Sequence, residues 1–73
     1  MGFKVNDLVR MKKSYTPSTL SEIQTYTLFK DDVGIVKEVS KYGGTRKIKW
    51  LRINMTVPFH INDEMNNQWI QKL

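Results

Sequence analysis

The chain of 73 residues has no cysteine and a single histidine, His60. It therefore has no disulfide to staple it and no thiolate or histidine cluster to hold a structural metal. A domain this short buries only roughly 60% of the surface its unfolded chain exposes, so an apolar core alone has to hold it together. No apolar run approaches the roughly 20 residues of a membrane-spanning helix. The start MGFKVND has no signal-like apolar segment, and Asn6 stands where a myristoylation signal needs Ser or Thr. The expectation is a cytoplasmic protein with no membrane partner, folded as one domain over residues 1–73.

Catalytic patterns are missing too: there is no nucleophile elbow, P-loop, dinucleotide fingerprint or zinc spacing. The adjacent acids Asp31 and Asp32, and Asp63 and Glu64, would point apart in a strand and suit turns better than a carboxylate dyad. His60 has no evident partner and falls on the polar parity of its segment. A non-enzyme is expected, with no cofactor, no metal and no small-molecule substrate.

What the chain does have is β-branched and aromatic residues in short runs, the composition of strands. In KVNDLVRMKK, Val9 and Met11 alternate with Leu8, Arg10 and Lys12, predicting a first strand over Leu8–Lys13. VGIVKEVS is the second, with a bulge between Val36 and Val39 that lets both face inward and with Gly34 where the backbone is closely approached. KYGG closes a hairpin onto a third strand over Arg46–Asn54, whose Ile48 and Trp50 share one face while Lys47, Lys49 and Leu51 share the other. MTVPFHI is the fourth, an edge or bulged strand because Pro58 cannot donate to a ladder. NDEMNNQ is a polar turn before a last strand, WIQKL. Between the first two strands, Ser14–Asp32 forms an unusually long polar connection, in which Thr19 and Glu22 fit a single helical turn. The fold class expected is all-β, a small five-stranded barrel with a long loop between its first two strands.

Val5, Asp7, Val9 and Met11 in VNDLVRM, Gly34 and Val36 in GIV, and Ile48 with Trp50 in IKW together resemble the SH3-like barrel. The resemblance is to its KOW-like and small bacterial or phage-encoded standalone variants, and it covers most of the chain. Asn6 replaces the glycine of the opening motif, a position where Asn tolerates left-handed backbone. The connection Ser14–Asp32 is longer than the turn of a KOW motif, although long first loops occur in SH3-like accessory subunits of larger complexes. The resemblance implies either nucleic-acid contact or docking onto a protein complex.

Charge separates these two functions. Twelve bases against seven acids give +5, and between Glu38 and Asp63 lie Lys41, Arg46, Lys47, Lys49 and Arg52 with no acid. With Arg10, Lys12 and Lys37 on paired strands, these residues are expected to form a phosphate-binding surface for DNA or RNA, with Tyr42 and an exposed edge of Trp50 as stacking faces. Charged outer faces also keep small barrels soluble and guard their edges. The alternative is docking onto an acidic protein complex through the long loop, with Tyr15, Pro17, Leu20, Ile23 and Tyr26 as contacts.

Overall fold

The computed structural model describes residues 2–16 and 26–73. Five antiparallel strands form one sheet: β1 (Leu8–Met11), β2 (Val33–Val39), β3 (Thr45–Trp50), β4 (Met55–Ile61) and β5 (Ile70–Lys72), in the order β4-β3-β2-β1-β5. The protein is all-β, as its periodicity implies, and the long connection lies between β1 and β2. The helical turn expected at Thr19 and Glu22 falls outside the described residues. No helix among the described residues is long and apolar enough to cross a membrane.

Parity decides which side chains meet. Val9 and Met11 of β1, Val36 of β2, Ile48 and Trp50 of β3, Val57, Phe59 and Ile61 of β4 and Ile70 of β5 share the inward parity of their strands and are buried together with Phe3 and Leu28. Gly34 lies opposite Trp50 in the β2–β3 ladder. A Cβ on Gly34 would stand 2.7 Å from both Ile48 Cγ2 and Trp50 Cε3, so the tryptophan can lie over β2 only because that residue has no side chain. The indole N–H of Trp50 has no hydrogen-bond acceptor among the described residues, and nothing in the packing explains it.

The β2–β3 pairing shifts register between Val36 and Val39, where the bulge was expected. A second irregularity falls between Thr45 and Lys47 in the β3–β4 ladder. Thr45 repairs it from inside the core: its hydroxyl donates to the Phe59 carbonyl at 2.6 Å and accepts from the Ile61 N–H at 3.1 Å. β4 lies at a sheet edge, where Pro58 leaves no inner ladder short of a donor.

Strand ends differ from the sequence reading where the backbone leaves the β region. β3 stops at Trp50, four residues before the expected Asn54, because Asn54 takes φ 53° and its N–H returns to the Leu51 carbonyl. β1 stops at Met11 rather than Lys13, and β5 is confined to Ile70–Lys72. Asn6 has φ 76°, a left-handed conformation that Asn tolerates. Gly43, with φ 90°, turns the β2–β3 connection, and its carbonyl accepts the Phe3 N–H at 2.7 Å.

The acidic pairs act as turn formers. Asp31 adopts φ 72°, and the Asp32 carboxylate accepts the Phe29 N–H. The Asp63 carboxylate accepts the Asn66 side-chain amide and the Met65 and Asn66 N–H groups, and these bonds hold its pKa below the ordinary value. Asn67 continues the turn by accepting the N–H groups of Trp69 and Ile70, which launches β5.

Candidate nucleic-acid interface

The outer face of the sheet is built from residues of the parity opposite to the core. On β2 and β3 these include Lys37, Glu38, Lys47 and Lys49. The irregularity after Thr45 turns Arg46 outward as well, so that Arg46 and Lys47 are both exposed in succession. The eight bases expected on one surface fall into two groups.

Three of the eight are tied into the fold. Arg52 forms a fork onto the Asp32 carboxylate, with Nε at 3.0 Å from both oxygens and Nη2 at 2.9 Å from Oδ2. It also donates to the Thr27 carbonyl and lies over the Phe29 ring at 4.7 Å. The guanidinium bond to Asp32 holds that carboxyl below its ordinary pKa against the opposing effect of desolvation, with the Phe29 N–H and the arginine charge adding to it. Arg10 bridges Asp31 at 2.9 Å and Gln71 at 2.7 Å, joining β1 to the loop and to β5. Lys12 donates to the Asn67 carbonyl at 3.0 Å. Each of these cations already has a fixed oxygen partner.

The other five, Lys37, Lys41, Arg46, Lys47 and Lys49, lie on the β2–β3 hairpin or its turn. The acid among them is Glu38, 3.7 Å from Arg46 and 3.5 Å from Lys47. Contacts this long between half-exposed groups are weak and are screened by salt. Lys37 and Lys49 have no acidic partner among the described residues. At the hairpin tip Tyr42 is 82% exposed, and the Lys41 ammonium sits 5.1 Å from its ring centre. A cation beside an exposed aromatic is a pairing able to meet a phosphate and stack a base.

Trp50 lies in the core, as its shared parity with Ile48 implies, and the exposed edge expected to stack a base is absent: the residue is 1% exposed, enclosed by Gly34 and by the edge-on Phe59 ring with centroids 5.5 Å apart. Its inward parity, shared with Ile48, leaves it no stacking role.

The contacts proposed for the long loop also move. Tyr15 packs edge-on against Phe59 at 5.7 Å and Trp69 at 5.1 Å, and pairs with Leu28 through two backbone hydrogen bonds. Tyr26 packs against the same core, and burial, with Tyr15 nearby, raises its phenol pKa. Pro17, Leu20 and Ile23 lie outside the described residues.

The outer face also carries Leu8, Ile35 and Leu73. Alternation in β1 already places Leu8 on the side of Arg10, away from Val9 and Met11, and strand pairing sets Ile35 and Leu73 beside it.

Among the described residues no three His, Asp or Glu side chains are grouped to hold a metal ion. Comparison with protein-family models, with curated proteins and with solved structures finds no match.

Proposed function

We propose that this chain is a small cytoplasmic, non-enzymatic binding module of the SH3-like, KOW-like type that contacts DNA or RNA through the outer face and tip of its β2–β3 hairpin. The observation that carries the reading is the gathering of Lys37, Lys41, Arg46, Lys47 and Lys49 on one hairpin around Glu38, with Tyr42 unburied at the tip. The lysines and Arg46 neutralise phosphates and Tyr42 stacks on a base, while Arg10, Lys12 and Arg52 keep the scaffold in place. The strand order supports the SH3-like assignment, while the β1–β2 connection is longer than the turn of a KOW motif; Tyr15 packs against Phe59 of β4 and Trp69 just ahead of β5.

Fluorescence anisotropy with labelled single- and double-stranded oligonucleotides tests the reading. Affinity should fall as salt rises, with a log–log slope of about −0.7 to −0.9 for each phosphate neutralised. The double charge reversal K47E/K49E should weaken binding to every sequence and flatten that slope. Tyr42→Ala should weaken single-stranded binding more than double-stranded. No binding of either oligonucleotide at low salt overturns the proposal.

A further inference from the structure

Next to the basic hairpin, the outer face carries an apolar stripe that runs across the strands rather than along one of them. Leu73 follows β5, and its N–H donates to the Leu8 carbonyl of β1. Leu8 lies opposite Ile35 of β2, and Ile35 lies opposite Lys49 of β3. Leu73 is 65% exposed and Leu8 48%, with Ile35 partly exposed between its neighbours. Single exposed leucines are ordinary on a protein surface. Three apolar side chains aligned on adjacent strands of a solvent-facing sheet are not, since such a face normally alternates to polar.

We infer that this stripe docks onto a second protein whose contact surface is apolar at its centre and acidic at its rim. The stripe is bordered by Arg10, Lys37, Lys47 and Lys49, and among the described residues the acids near it, Asp7, Asp31 and Glu38, are already in contact with Lys72, with Arg10, and with Arg46 and Lys47. A second copy of this chain, stacked face to face, would bring those bases against their equivalents in a molecule already carrying +5. A lipid surface suits the shape poorly, because Leu8 and Ile35 lie flat in a sheet, flanked by cross-strand neighbours, and cannot reach the acyl layer as a protruding loop would. An apolar layer laid on the sheet, with carboxylates meeting the rim lysines, fits both the geometry and the charge. The inference shares the rim bases Lys37, Lys47 and Lys49 with the nucleic-acid reading but rests on Leu8, Ile35 and Leu73, which contribute nothing to a phosphate contact.

The test uses the full chain and a short peptide alternating leucine and glutamate, which in extended form has one apolar and one acidic side. A control peptide has serine in place of leucine. Amide NMR titration should shift Leu8, Ile35, Lys49 and Leu73 with the first peptide, and the control should bind about tenfold more weakly or worse. The double variant L8S/I35T, checked for an unchanged fold by circular dichroism, should lose that preference for the leucine peptide while keeping oligonucleotide affinity. Equal binding of the two peptides would reduce the stripe to charge alone and overturn the inference. A dimer in sedimentation that L8S/I35T dissolves would assign the stripe to a second copy instead. Co-sedimentation with phosphatidylglycerol vesicles that the same variant abolishes would assign it to lipid. Failed oligonucleotide binding by the wild type would count only against the nucleic-acid proposal.

Discussion

Arg52 and Asp32 meet across twenty positions of sequence, and the guanidinium also reaches the Thr27 carbonyl, so one side chain ties the end of β3 to the end of the long loop. By charge alone Arg52 was indistinguishable from Lys49. The two separate only because Asp32 sits just before β2 and faces the turn after β3, where the Leu51 N–H donates to the Val33 carbonyl. The Arg52 bond lowers the Asp32 pKa in the folded protein. A depressed carboxyl pKa stabilises the fold above the carboxyl's ordinary titration range, and that contribution is lost as pH falls through the folded value. Urea unfolding followed from neutral pH down to acid should therefore show a steeper loss of stability in the wild type than in Asp32→Asn, which is expected to be less stable near pH 7 and to converge with the wild type in acid. Parallel pH profiles would mean that the pair contributes nothing across that range.

For whole strands, periodicity was a sound guide to membership and a poor one to ends. Met55–Ile61 is as the sequence suggests, because strict alternation of Val57, Phe59 and Ile61 with Thr56, Pro58 and His60 is a two-residue repeat that no helix accommodates. β3 was read too long, since a left-handed Asn54 is compatible with a strand in composition but not in φ. Ile48 and Lys49 are chain neighbours with opposite parity, one fully buried and one on the outer face. Ile48→Ala should cost about 2–5 kcal/mol in denaturant unfolding, and Lys49→Ala within about 0.5 kcal/mol. Small and equal effects would show that the register of β3 is not the one described. Gly34 explains part of the expected cost, because removing Ile48 opens space directly beneath a glycine that has no side chain to fill it.

In the whole molecule, the sheet has two edges, β4 and β5, and Tyr15 stands between them with its ring against Phe59 of β4 and Trp69 ahead of β5. The Lys13 ammonium lies over the outer side of Trp69, 4.3 Å from the ring centre. An aromatic in a polar loop could equally have served a partner, and the structure gives this one an internal task. Tyr15→Ala should remove two edge-on ring contacts. The near-ultraviolet circular dichroism should diminish and the thermal midpoint fall by several degrees, as a loss of about 1–3 kcal/mol produces in a domain of this size. Oligonucleotide affinity should be retained at temperatures where the variant is folded. A variant as stable as the wild type would mean that the two edges do not depend on Tyr15.

The sequence by itself determined the all-β class, the strand cores, the inward set around Ile48 and Trp50, and the bulge after Val36. Each of these follows from short-range rules, chiefly side-chain alternation and the point where it breaks. Which bases are available to a ligand was decided only by the tertiary structure. A lysine or arginine on an outward face is free or bound according to what a distant segment places beside it, as Asp32 does for Arg52, Asp31 for Arg10 and the Asn67 carbonyl for Lys12. The apolar stripe has the same origin. Leu73, Leu8 and Ile35 are scattered along the chain, and only the pairing of β5 with β1 and of β1 with β2 sets them side by side.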